Sequence, residues 1–75
     1  MEENRNLFPY KLVNARKIRC VSQRDLCERM GGLVSANAIA KYETGKMAPS
    51  STVLIAIAKA LDFGVDYFFR PPRWM

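Results

Sequence analysis

Asn37 and Lys41 stand four residues apart in the segment SANAIAKYE, residues 35–43, which carries small and amide side chains where a buried helix would carry Leu. At helical spacing the amide and the ammonium project together from one side, and Ile39 and Tyr42 fall one turn apart on the other. Such a face suits recognition from outside by hydrogen bonding. It does not suit catalysis, because the chain has no His, no paired carboxylates beside a nucleophile and no Walker glycine loop; Gly31-Gly32 has no following Lys to hold a phosphate. Ser22 and Ser35 have no neighbouring base and read as helix caps, not nucleophiles. Cys20 and Cys27 cannot by themselves complete the four-ligand shell of structural zinc, and their spacing is not that of a metal knuckle. We therefore expect no enzyme, no metal and no cofactor.

The elements that position Asn37 and Lys41 are legible from their start and stop signals. Ser22, with Asp25 three residues on, predicts a cap for a helix 2 starting near Gln23. Leu26, Cys27 and Met30 give that helix one apolar face, and Gly31 and Gly32 end it in a left-handed turn. Ser35 caps a helix 3 running from Ala36 to Glu43. Two short helices joined by a tight glycine turn form the helix-turn-helix pattern, in which the N-terminal residues of the second helix meet base edges in the major groove of DNA.

SQRDLCERM, then VSANAIAKYETGK, then PSS and LIAIAKAL, resemble the Cro/cI (XRE) family of helix-turn-helix DNA-binding domains over about residues 12–69. The resemblance implies an all-α, compact five-helix, lambda-repressor-like domain with the motif at helices 2 and 3. It implies base contacts from Ala36, Asn37 and Lys41, a phosphate contact from Gln23, and backbone contacts from Thr44 and Lys46 beside Gly45 in the loop after helix 3; to these we add Ala40 among the base-facing residues and Ser22, Arg24 and Ser35 among the phosphate-facing ones. Arg16 and Glu43 match a pair that ties helix 1 to the end of helix 3. Read from the residues alone they are either that pair or two separate charges, with Arg16 also able to face a phosphate. The chain departs from the family pattern in placing Gly32 and Leu33 before the Val-Ser step, which bears on the docking angle of helix 3. It departs again in carrying Ala36 and Ala38 where long polar side chains are common; a methyl group touches a thymine methyl or makes room for DNA.

Seventy-five residues make one small domain. We divide it into a flexible arm (1–6) in which Arg5 could reach DNA, a helix-turn-helix domain (7–69) and a tail (70–75). Twelve Lys and Arg face seven Asp and Glu, and nine of those bases against three acids lie between Arg5 and Lys46. The basic excess therefore sits on the half that holds the motif, as phosphate neutralisation requires. No apolar run reaches membrane-spanning length, the opening MEENRN lacks the features of a signal peptide, and unpaired thiols suit a reducing cytoplasm, so we expect a cytoplasmic protein without membrane association.

Pro9 suits the first turn of a helix 1 from about Phe8 to Arg19, with Leu12 and Ala15 inward. Val13 and Ile18 widen the core or mark a contact surface. Lys17, Arg19, Arg24 and Arg29 read as a solvated basic face, Arg24 being best placed for phosphate. Leu54, Ile57, Ala58 and Leu61 predict a helix 4 over about Thr52–Leu61, packed beneath the motif. Phe63, Val65 and Phe68 are expected to close the core around a last short helix near Val65–Phe69.

Tyr67, Phe69 and Trp74, with Val53 and Ile55, leave surplus apolar surface. Either it forms a two-fold dimer contact that sets two recognition helices about 34 Å apart, or it docks onto something C-terminal. GVDYFFRP resembles the end of such domains when fused to a metallopeptidase-like regulatory domain, and we expect no such domain to follow Met75. The leading expectation is a sequence-specific regulator of transcription, a repressor acting by occupancy as a homodimer, joined through the C-terminal aromatic region, on a palindromic operator. The alternative is an antitoxin or other protein-interaction module on the same fold.

Overall fold

The computed structural model describes residues 7–69; the arm with Arg5 and the tail with Trp74 lie outside them. Four helices follow in order, α1 (Leu7–Arg19), α2 (Gln23–Arg29), α3 (Ala36–Glu43) and α4 (Ser51–Leu61), and then a 3-10 helix, Val65–Phe68. The fold is all-α, with the fifth expected helix realised as a single 3-10 stretch. Four residues after Gly64, with no side-chain cap, are too few to close successive α-type hydrogen bonds.

Each of α2, α3 and α4 begins at a serine in extended conformation whose hydroxyl accepts a backbone N–H three residues on: Ser22 from Asp25, Ser35 from Ala38, Ser50 from Val53. At Ser22 the box is complete, since its own N–H donates to Asp25 Oδ2 at 3.2 Å. That backbone N–H, then the Ser22 hydroxyl, and more weakly the charge of Arg29, hold the exposed Asp25 carboxyl below its ordinary range against a small opposing desolvation.

All four helices end in the same way. A residue with positive φ follows the helix, its N–H bonds back three residues, and the next N–H bonds back five, which is the Schellman arrangement. The pairs are Cys20 to Lys17 with Val21 to Arg16, Gly31 to Glu28 with Gly32 to Cys27, Gly45 to Tyr42 with Lys46 to Lys41, and Asp62 to Lys59 with Phe63 to Ala58. Glycine supplies the left-handed residue after α2 and α3, whereas Cys20 (φ 58°) and Asp62 (φ 60°) supply it after α1 and α4. Asp tolerates this region; Cys has no local hydrogen bond to offset the crowding of its Cβ.

The core joins Leu12 and Ala15 of α1, Val21, Leu26 of α2, Ile39 and Tyr42 of α3, Ile57, Ala58 and Leu61 of α4, and Phe68. Phe68 is fully buried, tilted against Phe8 at 5.5 Å and edge-on to Tyr67 at 5.2 Å. Two expectations are corrected here. Val65 is exposed, and Tyr67 turns inward instead, stacked on Phe63 at 4.4 Å. The phenol can leave water because its oxygen accepts from Asn14 Nδ2 at 2.9 Å, and the ammonium of the buried Lys11 sits 4.3 Å above its ring.

Arg19 and Arg29, expected on a solvated basic face, instead clamp the end of α4. Arg19 donates Nε to the Leu61 carbonyl (2.7 Å) and Nη2 to that of Asp62 (2.9 Å), and Arg29 donates Nη1 to that of Ala60 (3.1 Å). Two cations thus meet carbonyls at the negative end of the helix dipole, and the Arg19 guanidinium also lies over Phe63, 4.4 Å from the ring centre.

Because Cys20 occupies a left-handed position while exposed, Cys20→Gly should raise stability by roughly 0.5–1 kcal/mol, the relief of Cβ crowding exceeding the entropy that glycine adds to the unfolded chain. Urea unfolding measures this, and an unchanged or lowered midpoint would show that the turn carries no such strain.

Candidate nucleic-acid interface

Three elements converge on the outer side of the motif: the start of α2, the length of α3, and the loop from Thr44 to Lys46. Their relative placement depends on one carboxylate. Glu43, at the last turn of α3, accepts Arg16 Nε on Oε2 (2.5 Å), and Arg16 Nη2 (3.0 Å) and Gln23 Nε2 (2.9 Å) on Oε1. The third arm of the guanidinium, Nη1, donates to the Val21 carbonyl at 2.9 Å. The side chains of Arg16 and Glu43 are only 15% and 7% exposed. One residue of α1 is therefore tied to the α1–α2 turn and to the end of α3, and the first residue of α2 is tied to the same carboxylate. The pairing is bidentate, so it fixes direction as well as distance.

With its rear held in this way, α3 buries Ile39 and Tyr42 and packs Ala38 against the core. Asn37 and Lys41 are exposed on the opposite side, and neither side chain makes a hydrogen bond or ion pair among the described residues. Ala36 and Ala40 are half-buried and stand outside the core and the side chains packed around it. At about 100° per residue the outward sector runs Ala36, Ala40, Thr44, Asn37, Lys41.

The hydroxyls expected at phosphates are in different states. Ser22 and Ser35 accept backbone N–H groups at 2.9 and 3.0 Å; the Ser22 hydroxyl proton is already directed to the Asp25 carboxylate, whereas that of Ser35 is left to donate. Thr44 spends its proton on the Lys41 carbonyl at 3.2 Å, so its hydroxyl would have to rotate to reach an anion. Gln23 gives one amide proton to Glu43 and retains the second. Arg24, Lys41 and Lys46 are exposed and have no acidic partner among the described residues, whereas Lys11, Arg16, Arg19 and Arg29 are engaged within the fold. The cationic surface beside the motif thus rests on Arg24, Lys41 and Lys46.

The extra Gly32 and Leu33 lengthen the turn without parting the helices: Gly31 and Gly32 take φ of 68° and 76°, Val34 returns to the core and accepts the Cys27 thiol at 3.1 Å, and Leu33 is left exposed. Among the described residues no group of His, Cys, Asp and Glu could hold a metal ion, and no helix is long and apolar enough to cross a membrane.

Breaking the buried pair from one side leaves an uncompensated charge, so Arg16→Met should cost about 3–5 kcal/mol. Adding Glu43→Leu to it should recover part of that loss, and a double-mutant cycle by chemical unfolding reads the coupling. Strictly additive costs would show that the two groups act separately.

A protein-family model described as helix-turn-helix matches residues 14–68, most of the chain. No curated protein and no solved structure matches it. The match spans the capped α2, the turn, the exposed α3 and the supporting α4 together, and the chain belongs to the Cro/cI-type (XRE) helix-turn-helix family of DNA-binding regulators.

Proposed function

We propose that this protein is a repressor that inserts α3 into the major groove of a palindromic operator and acts in the cytoplasm by occupying it. The observation that carries this reading is the outward, unengaged pair Asn37 and Lys41 on a helix whose rear is locked by Glu43, Arg16 and Gln23. The Asn37 carboxamide matches the N7 acceptor and N6 donor of adenine. Lys41 donates to guanine O6 and N7 or to a phosphate. Ala36 and Ala40 lie against the base edges beside them. Ser22, Gln23, Arg24, Ser35, Thr44 and Lys46 hold the backbone on either side, setting register without reading sequence.

A homodimer joined through the C-terminal aromatic region completes the proposal. Phe69 is 61% and Ile55 45% exposed. Phe69 also lines a groove of about 330 Å³ together with Phe8, Pro9, Met47, Pro49 and Leu54. The working unit is the stretch 7–69, with the arm and the tail as appendages.

Selection of bound sites from random duplex DNA tests the whole reading: a two-fold symmetric product supports it, and recovery of no preferred sequence overturns it. On the selected site, Asn37→Ala should cost roughly 1–3 kcal/mol and relax preference at one base position per half-site; an equal loss on every sequence would assign Asn37 to the backbone instead. Lys46→Ala should weaken binding evenly across sequences. With Arg24, Lys41 and Lys46 as phosphate cations the logarithmic salt slope for a dimer is roughly −5, and Lys46→Ala should flatten it by about 2. An unchanged slope would remove Lys46 from the phosphate contacts.

A further inference from the structure

We infer that the groove bordered by Phe69 holds the chain's own tail, with Trp74 as the side chain seated in it. The groove, about 330 Å³, lies where the start of α1 (Phe8, Pro9), the loop from α3 to α4 (Met47, Pro49), Leu54 of α4 and Phe69 meet. No charged side chain lines it. It coincides with an unfinished edge of the core: Leu54 belongs to the same stripe of α4 as Ile57, Ala58 and Leu61, yet those three are buried and Leu54 is only half-buried. The stripe is open at its first member.

Connectivity decides what occupies it. The described residues end at Phe69, a wall of the groove, and Trp74 follows five residues on, at most about 18 Å from that wall. Tethered at such range, the indole meets the groove at an effective concentration on the order of millimolar, about a thousandfold above a second molecule in a micromolar solution. Between Phe69 and Trp74 stand Arg70, Pro71, Pro72 and Arg73. The two arginines suit the solvent rim, and the indole is the large apolar group that an uncharged groove accepts. Each proline also bars the residue before it from helical backbone, so less chain entropy is lost when the segment lies extended along the groove. Proline-rich segments against aromatic-lined grooves are a recurrent mode of peptide docking, and Phe8 and Phe69 supply such walls here. An occupied groove braces Gly45 and Met47, two residues of its lining that flank Lys46, and so steadies the loop that presents that cation. Ile55 does not line the groove, which leaves a two-fold contact centred there open.

Trp74 is the single tryptophan of the chain, so the intrinsic fluorescence of the full chain reports on it directly. In folded protein its emission should lie to the blue of that in urea and resist quenching by acrylamide, equally at every protein concentration. Met47→Asp, which puts a charge into the groove from an exposed loop position, should return the emission to the red while circular dichroism stays helical. Ala48→Asp, in the same lining, is the second such variant. Should both unfold, nuclear Overhauser contacts between the indole and the Met47 methyl in the unaltered protein carry the test, and their absence overturns the inference. Emission as red in the folded chain as in urea overturns it as well. A blue emission that survives both substitutions in a folded chain does the same, by seating the indole elsewhere. A blue shift that appears only as dimer forms in the ultracentrifuge assigns the groove to the tail of a second copy and overturns the intramolecular docking. None of these readouts involves DNA, so each leaves the regulator reading to its own tests.

Discussion

A nearly buried carboxylate is costly unless it is fully engaged, and Glu43 meets that condition with three charge-assisted or amide hydrogen bonds from two other segments. The requirement works as a positional constraint. To satisfy Glu43, α1 must bring Arg16 alongside α3 and the first residue of α2 must reach the end of α3. The same guanidinium closes the α1–α2 turn through Val21, so the bend between those helices and the tilt of α3 are set by one side chain. Hydrophobic burial of Ile39 and Tyr42 holds α3 down; the ion pair fixes its orientation.

The helices so arranged are short, between seven and thirteen residues, and at that length none would be stable in isolation. Their ends are therefore closed with unusual consistency. Serine caps begin α2, α3 and α4, and Schellman turns finish all four helices. At α4 the local closure is reinforced from outside by Arg19 and Arg29, whose guanidinium groups reach back over more than thirty residues of sequence. Tyr67 and Lys11 do the same at the other edge of the core, joining α1 to the 3-10 helix.

How much of this was legible in the sequence follows from the range of the interactions involved. Caps and stops are local, so Ser22, Asp25, Gly31 and Ser35 place α2 and α3 almost to the residue, and the 3.6-residue period identifies the buried side of α4. The outward aspect of Asn37 and Lys41 follows from the same local periodicity once Ile39 and Tyr42 are taken as inward. Long-range choices were not legible. Nothing in its neighbours distinguishes Arg19 from Lys17, yet both are exposed and only Arg19 finds the carbonyls at the end of α4. Tyr67 and Val65 exchange roles because Asn14, fifty-three positions away, offers the phenol a partner. Cys20 gave no sign of a left-handed turn, because that position normally announces itself with glycine. The Arg16–Glu43 geometry had a precedent only through family resemblance, and Gln23 joining the same carboxylate had none.

The turn between α2 and α3 carries a separate implication. A Cβ built on Gly31 or Gly32 would meet nothing within 4 Å, and α2 and α3 are held to one another by Leu26 and Ile39 in the common core and by Gln23 at Glu43. The two glycines make no side-chain demand on the placement of α3. The attitude of α3 is thus inherited from side chains outside the turn, with Val34 alone of the turn residues packed against the core.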